Sequence, residues 1–473
     1  MAEFASAATT TNVVTSGPPH RTVFFLALPT VVGMLSQSIV NEIDLVFFAR
    51  LPTPESTYAQ GALLPSLVLL WAFGGSLSGI AVGTQAFTAR RFAEREDDKA
   101  GAVLFNAAAF AFGAGIIFCL LGYLLTPLLL RQMFHSSPTE PGAHQAAHQY
   151  LAYRLLGVVS MAATFAFKAF FDGIGKTHVH LVSAVTMNIL NVVLCILLIF
   201  GNQRLGIHKM GIAGAGLAAV ISTYVGLAIM IGYALKAEYR LRYRPFDLKK
   251  FNPTLLWSIL KTSIPGGVAT IFVMTGFGLF AGIASRLDPG GEAEPVNLAS
   301  TTVIVGILKL TFTACLAFGT ATATLVSQSL GEKDGAKAER FGWASVQLGL
   351  VIFGVVGLIE AVFAVPMLHF VASSDAVREH ALLPMRMMAI CTPVIATGMI
   401  LTQALFGAGD TKFVMVAELL LHFLCLVPLA ALLGFTLHLG IVGIFLAAVI
   451  YIVGLASATV FRFRRGTWKH IKL

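Results

Sequence analysis

The stretch FDGIGKT at 171–177, which joins two long apolar runs, recurs later in the chain as LFGAGDT at 405–411. The resemblance continues beyond the turn. Each copy is followed by one apolar run and then by a second, which opens with GIAG at 211–214 in the first case and with GIVG at 440–443 in the other. This pattern indicates that the chain carries two copies of one helical unit.

Two further matches precede the turns. FTARRFAE at 87–94 has its counterpart in LVSQSLGE at 325–332, and Pro29 has its counterpart in Pro265. The spacing between partners is nearly the same at all three places, so the two copies have nearly the same length. We therefore expect a protein of two equivalent halves.

The composition excludes a soluble fold. Of the 473 residues, 57% are hydrophobic and only 12% are charged, with a mean hydropathy of +0.82. A soluble chain has about 25% charged residues, so most of this surface faces lipid, and a disordered chain or a coiled coil is excluded as well. A membrane-spanning helix needs about 20 apolar residues. Breaks at charges and turn residues predict twelve spans: 22–48, 61–88, 101–131, 150–171, 178–201, 210–235, 258–285, 300–329, 341–371, 386–406, 413–434 and 439–463.

The distribution of Lys and Arg predicts the orientation of these spans. With both termini in the cytoplasm, 23 of the 32 basic residues lie on the inner side, eight lie on the outer side and Lys309 lies inside a span. Cytoplasmic loops carry such an excess, which accounts for the net charge of +9 without a nucleic-acid partner. Because six spans are an even number, the two halves point the same way across the membrane.

The predicted fold is an all-α integral membrane protein with twelve transmembrane helices in two like-oriented six-helix bundles around a central cleft. The predicted parts are a disordered tail (1–20), an N-lobe (21–236), a cytoplasmic linker (237–256), a C-lobe (257–465) and a cytoplasmic tail (466–473).

Three motifs carry a resemblance to a known family. They are GAGDTK at 407–412, VSQSLGEKD at 326–334 and IDLVF at 43–47. With them, nearly the whole chain resembles the multidrug and toxic compound extrusion (MATE) family of the MOP superfamily. The resemblance implies antiport, driven by protons or sodium ions, that exports organic and often cationic amphiphiles.

The first span carries two acidic residues. An ionisable group in a span is costly and marks a candidate functional site. Asp44 shares its helix face with Asn41 and Gln37, a polar face that suits a buried carboxylate. It matches the first-helix Asp that carries the coupling ion in the family, whereas Glu42 has no counterpart there. The alternative for Asp44 is a structural carboxylate. A third acid, Asp172, ends a span and is expected to be wetted.

The fifth span places Asn188, Asn191 and Cys195 on one face. Asn191 matches the family's fifth-helix Asn, but Cys195 replaces the Asp of the sodium-binding branches, and Ala219 replaces their sixth-helix Thr. Thiols are poor ligands for hard cations. A sodium site therefore requires Glu42 to replace the missing carboxylate beside Asp44 and Asn191. The alternative for the two Asn residues is interhelical hydrogen bonding.

The C-terminal half has its own embedded charges. The carboxylate positions of the NorM branch hold Val273 and Ile395 here, so the sodium site of that branch is not expected. Glu418 and His422 lie one turn apart and are a candidate proton relay, because His titrates near neutral pH. The alternative, which the sequence favours, is a structural ion pair of Lys309 with Glu360 or Glu418.

Taken with these residues, the resemblance to the MATE family implies a proton-coupled multidrug antiporter, with sodium coupling as the weaker alternative. The rivals are a dedicated exporter of one natural product and a flippase for lipid-linked precursors. No phosphate-binding loop, metal motif or nucleophile–base set is recognisable, so we expect no ATP site, no cofactor and no enzymatic activity. The expected energy source is a transmembrane ion gradient, the expected partners are small molecules and lipid, and the expected form is a monomer in a bacterial inner membrane.

Overall fold

The computed structural model describes residues 17–52, 55–133, 140–288, 296–372 and 374–473. Within these ranges the side chains are described everywhere except at 39–45, 49, 57, 64, 132–133 and 140–141. The described chain is helical, apart from turns and one isolated β-bridge between Asn202 and Ile207. The predicted tail, 1–20, falls mostly outside the described residues, and Pro19 already belongs to the first helix.

The described N-terminal half contains eight α-helices before the linker. They are α1 (Pro19–Ala49), α2 (Glu55–Phe73), α3 (Gly79–Ala93), α4 (Asp97–Met133), α5 (Glu140–Arg154), α6 (Gly157–Gly173), α7 (His178–Phe200) and α8 (Ile212–Leu235). The linker then forms α9 (Ala237–Tyr243).

The C-terminal half repeats this order. Its helices are α10 (Pro253–Ser285), α11 (Val296–Gly331), α12 (Gly335–Val362), α13 (Ala364–Val371), α14 (Asp375–Ile390), α15 (Thr392–Ala408), α16 (Thr411–Leu420), α17 (Val427–Ala431) and α18 (Gly440–Arg465). Two π-helical turns, Leu421–Leu426 and Leu432–Thr436, flank α17 and continue the α16 span.

The described helices account for the predicted spans. Eight of them are long and apolar enough to cross a membrane, and three bent pairs raise the number to 11. Helix α1, whose middle is only partly described, has 31 residues, or roughly 46 Å at 1.5 Å per residue, enough for a twelfth span. The predicted fold class is confirmed.

Three predicted spans are broken rather than straight. The chain bends by 42° between α2 and α3, by 49° between α5 and α6 and by 53° between α14 and α15. Predicted spans 61–88, 150–171 and 386–406 cross these breaks. Hydropathy alone gives no signal for them, because both segments of each pair are apolar enough to belong to one span.

The linker packs on the N-lobe instead of hanging free. The ring of Tyr239 lies 5.7 Å from that of Phe171, and the ring of Tyr243 lies 5.4 Å from that of Phe170. Burial raises the pKa of Tyr239 to about 12, so this phenol stays neutral in its aromatic surroundings at physiological pH. The basic linker therefore packs against the N-lobe as well as joining the lobes.

The two glycines of each repeated turn have different tasks. The second, Gly175 or Gly409, adopts the left-handed conformation, with φ of 74° and 87°. The first allows close helix packing: a Cβ on Gly173 would lie 2.9 Å from Cβ of Thr88, and a Cβ on Gly407 would lie 2.7 Å from Cα of Ala323. The turns thus set the packing of α6 on α3 and of α15 on α11.

The lobes meet at the end of the molecule where α1 begins and α3, α6, α11 and α15 end, here called the basal end. Helix α3 packs on α10 and α11 of the other lobe. A Cβ on Gly79 would lie only 2.7 Å from Cα of Gly267. The segments before the three bends, α2, α5 and α14, have their main packing partners within their own lobe. The interlobe contact is therefore concentrated in the basal half.

Candidate functional site

Helix α1 carries the predicted ion-coupling residues. Its backbone is helical throughout Pro19–Ala49, and Gln37 is exposed. The side chains of Asn41, Glu42 and Asp44 lie outside the described residues, so their roles stay predictions.

Described contacts tie α1 to both lobes. On one side, Asn188 Nδ2 of α7 donates to Ser36 Oγ at 2.8 Å. On the other, Ser38 Oγ donates to Thr313 Oγ1 of α11 at 3.3 Å. Side chains two positions apart on a helix point in nearly opposite directions. Helix α1 therefore lies between α7 of its own lobe and α11 of the other lobe. A movement of α1 therefore changes its contacts with both lobes.

The fifth-span residues are buried where the sequence places them. Asn188 and Asn191 are buried, and Cys195 Sγ donates to Asn191 Oδ1 at 3.9 Å. The bond from Asn188 to Ser36 is an interhelical hydrogen bond, the alternative raised for the two Asn residues. It positions the helix that carries Asp44, which is compatible with a role in coupling.

In the C-lobe, Glu418 and His422 do meet. His422 Nδ1 lies 3.2 Å from Glu418 Oε2, and Tyr451 of α18 donates its hydroxyl to the same oxygen at 3.2 Å. The three groups are buried, and the His422 and Tyr451 rings lie 4.6 Å apart. Sequence reasoning missed Tyr451, because a phenol in an apolar helix carries no positional signal.

Glu360 has hydroxyl partners. Thr311 of α11 donates to Glu360 Oε1 at 2.5 Å, and Thr392 of α15 donates to Oε2 at 3.4 Å. Within the described residues, Glu360 and Glu418 are thus bonded to hydroxyl and imidazole groups, and the ion pair predicted for Lys309 stays a prediction. Threonines on neighbouring helices could satisfy the carboxylate because the fold brings three helices together around it.

The repeated motifs close the basal end. Arg90 Nη2 donates to the carbonyl of Ala408 at 2.8 Å, and Gln328 Nε2 donates to the carbonyl of Gly173 at 2.8 Å. Arg90 and Gln328 are the fourth residues of the two matched motifs at 87–94 and 325–332. Each half thus donates to the turn that ends a helix of the other half. We call these four residues the basal gate.

Two more contacts reinforce the gate. Gln85 Nε2 donates to Thr324 Oγ1 at 2.8 Å, and Arg90 Nη1 donates to the carbonyl of Ile471 at 2.6 Å. The segment after α18 is packed in place, since Trp468 is buried and stacks on Phe463 at 4.5 Å. The sequence predicted a cytoplasmic tail here, and in the structure the tail contributes to the gate.

A cavity of about 80 Å³ lies above the gate between the lobes. Its polar lining includes Gln85, Lys168, Thr320 and Gln403. Lys168 Nζ lies 2.6 Å from Asp172 Oδ2. A water needs roughly 10–15 Å³ of such volume, so the cavity has room for several. Sequence reasoning missed Lys168 as a site residue, because only the tertiary structure shows that its side chain lines the cavity.

Two repeated helical bundles that meet at one end, with buried ionisable groups in both, define a membrane transport protein built from a duplicated unit. The chain belongs to the MatE family, whose model matches it twice, over residues 29–197 and 265–432. It is therefore a multi-pass MATE transporter and not an enzyme.

Relatives and solved structures agree along most of the chain. A probable multidrug resistance protein NorM of Thermotoga maritima is 24% identical over 453 residues, which cover 94% of this chain and 92% of the relative. A probable multidrug resistance protein NorM of Photorhabdus laumondii is 24% identical over 437 residues, which cover 89% of this chain and 90% of the relative. An outward-facing MATE transporter structure aligns with a TM-score of 0.83 at 21% identity over 96% of both chains. At that identity the structural likeness shows the fold alone.

Proposed function

We propose that this protein exports organic, cationic and amphiphilic compounds in exchange for protons. Its relatives named as probable multidrug resistance proteins support the class of cargo. The observation that carries the proposal is the position of α1: the helix that bears Asp44 is bonded to α7 of the N-lobe and to α11 of the C-lobe.

In this mechanism, the basal end is cytoplasmic, as the distribution of Lys and Arg indicates. The conformation described, closed at the basal gate, is then the one that releases cargo outside. A proton that enters from outside neutralises Asp44, which weakens binding of a cationic cargo. Because α1 contacts both lobes through Ser36 and Ser38, the change reaches the lobe interface. The proton leaves to the cytoplasm when the gate opens.

Proton coupling is favoured over sodium coupling by the groups next to Asn191. Its carbonyl oxygen accepts the thiol of Cys195, where a sodium site needs a hard oxygen ligand. The C-lobe groups Glu360 and Glu418 are bonded to Thr, His and Tyr side chains. We assign them a structural role in which Glu360 holds α12 to α11 and α15, and Glu418 holds α16 to α18.

The first test is efflux of a fluorescent organic cation from proteoliposomes under an imposed pH gradient and then under a sodium gradient. We expect the pH gradient to drive efflux and the sodium gradient to be without effect. Asp44→Asn, which cannot lose a proton, should reduce efflux to the level of protein-free liposomes. Asp375→Asn, at the exposed start of α14, is the matched control and should transport normally.

Other outcomes have defined meanings. Unchanged proton-driven efflux by Asp44→Asn would overturn the mechanism. Efflux driven by sodium alone would assign Glu42, Asp44 and Asn191 to a cation site. If neither gradient drives efflux and an anionic lipid-linked precursor competes with the cation for binding, the flippase would be favoured.

A further inference from the structure

His180 is a buried titratable residue for which the mechanism above has no use. It lies in the first turn of α7 and is 5% exposed. Both ring nitrogens are buried, and neither has a hydrogen-bond partner among the described residues. A buried polar group that lacks a partner costs free energy. Such a group is retained at a cost to stability, which indicates a use for it.

The His180 ring faces α1. A Cβ on Gly33 would lie 3.7 Å from Cδ2 of His180. One turn further along α1, Ser36 donates to the carbonyl of Gly33 at 2.8 Å and accepts from Asn188 at 2.8 Å. Polar groups therefore follow the α1–α7 contact from His180 toward the level of Asn188. Asp44 lies eight residues beyond Ser36, or roughly 12 Å along the helix.

The Lys168–Asp172 pair lies on α6, which contacts α7 and is joined by the turn at 174–177 to the first turn of α7, where His180 lies. Asp172 is buried from bulk solvent, with only 1% of its surface exposed, although its place at a span end predicted contact with solvent. Its Oδ2 is bonded to Lys168, while Oδ1 is buried and has no partner in the described chain. Lys168 also lines the interlobe cavity, so the pair joins the interior of the N-lobe to space above the gate.

Asp172 is also part of the lobe contact. Its carbonyl accepts from Thr324 Oγ1 of α11 at 3.0 Å, and the next carbonyl, that of Gly173, accepts from Gln328. The side chain of Asp172 thus sits on the turn that the opposite lobe holds. A change of charge there acts directly on the basal gate.

The C-lobe has no copy of this arrangement. When the turn at 171–177 is aligned with the turn at 405–411, Lys168, Asp172 and His180 correspond to Thr402, Phe406 and Val414. Because the two halves share their backbone plan, packing alone did not require a lysine, an aspartate and a histidine at these positions. Their presence in one lobe only indicates a task that only the N-lobe performs.

We propose that His180, together with the Lys168–Asp172 pair, is the route by which a proton leaves the N-lobe at its basal end. The proposal rests on the proton coupling of Asp44 proposed above. The neutral imidazole accepts a proton through a hydroxyl or water on the α1 side and passes one to water beside Asp172, so no charge is left behind after the transfer. The proton then reaches the cavity and, when the gate opens, the cytoplasm.

The surroundings of His180 contain few other titratable groups. On α6 the titratable residues nearest to it along the chain are Lys168 and Asp172, and its own helix begins with the exposed His178. The described part of α1 contributes His20 and Arg21 at its basal start, α8 contributes Tyr224 and Tyr233 but no charged residue, and Lys176 lies in the turn before α7. A change in the dependence of transport on internal pH after substitution of His180 is therefore attributable to this route.

The test compares His180→Gln with His178→Gln, which changes an exposed histidine two residues earlier. Each protein is reconstituted and assayed for proton-driven efflux of the fluorescent cation, for its dependence on internal pH, and for exchange of cation against cation at equal pH. Exchange needs no net proton movement. We expect His180→Gln to lose proton-driven efflux by about 100-fold, to lose the dependence on internal pH, and to keep exchange and binding of the cation. His178→Gln should match the wild type in all of these.

Two results would overturn the route. Normal proton-driven efflux by His180→Gln would remove His180 from it, while the function proposed for Asp44 stands. Equal loss of efflux, exchange and binding would show a merely structural histidine. If the wild type itself shows no proton-driven efflux, the proposed function fails and the route fails with it. Asp172→Asn in the Lys168→Gln background is the second variant and should show the same loss of efflux with exchange retained.

Discussion

At the scale of single residues, the buried carboxylate of Glu360 shows how this protein satisfies a charge in an apolar interior. Its two oxygens accept from Thr311 and Thr392, which come from different helices. A buried polar group without a hydrogen-bond partner raises the free energy of the folded state. Each hydroxyl therefore stabilises the fold by donating a hydrogen bond to the carboxylate. The stabilisation comes from these two hydrogen bonds alone and does not depend on how the two lobes are arranged.

We predict that Thr311→Val lowers the free energy of unfolding by about 1–3 kcal/mol, because the valine removes a donor from a buried carboxylate. Thr302→Val, on the same helix, is the matched control. Thr302 is exposed and, among the described residues, bonds only to the carbonyl of Leu298, so we expect a change within about 0.5 kcal/mol. Thermal unfolding in detergent measures both. Equal effects of the two substitutions would refute the role given to Thr311.

At the scale of elements, the repeated turns end one helix and start the next in both halves. Gly175 and Gly409 supply the left-handed residue, which a residue with a Cβ adopts only at a cost. The turn fixes the direction of the following helix, α7 or α16, and so the position of the polar face of α7 against α1.

We predict that Gly175→Ala destabilises the protein by roughly 1–2 kcal/mol, since alanine at φ of 74° is strained. Gly278→Ala should have the opposite sign. Gly278 lies inside α10 with open space around its Cα, and alanine there stabilises a helix by roughly 0.5–1 kcal/mol. The midpoints of thermal unfolding give both signs. Stabilisation by Gly175→Ala would contradict the geometry of the turn.

At the scale of the whole molecule, two lobes are held together at the basal end by contacts that the repeat makes reciprocal. Arg90 and Gln328 donate across the interface, and Gly79 lets α3 approach α10. In the mechanism proposed above, all of these contacts break when the basal end opens. Their strength would then set the balance between the conformations open to either side of the membrane.

We predict that Gly79→Val shifts the protein toward a conformation open at the basal end, because even a Cβ would lie 2.7 Å from Cα of Gly267. The cysteine of Gln403→Cys, in the cavity lining, should then react faster with a thiol reagent applied from the basal side, and efflux should fall. The control is Gly232→Val in α8, where a Cβ meets nothing within 4 Å. Unchanged reactivity in Gly79→Val would show that this contact does not limit opening.

Much of the fold could be predicted from local properties of the chain. Long apolar runs predict spans, and the near-constant spacing between the repeated motifs predicts two like-oriented halves. The bends at α2–α3, α5–α6 and α14–α15 could not be predicted in this way, because hydropathy reports how apolar a segment is and not the direction of the helix axis. The pairing of Glu418 with His422 followed from helical spacing, whereas Tyr451 comes from a helix that sequence reasoning had no means to place beside them.

The sequence by itself determined the membrane class, the duplication, the family resemblance and the residues of one helix that share a face. These properties depend on composition, on motifs and their spacing along the chain, and on periodicity within single segments. Only the tertiary structure decided that Arg90 and Gln328 are equivalent donors in one gate, that Glu360 is bonded to threonines, and that His180 and Asp172 lie buried with atoms that lack partners among the described residues. Each of these depends on which distant helix supplies the neighbour, and in an apolar interior the neighbour determines whether a polar group is satisfied or available for transport.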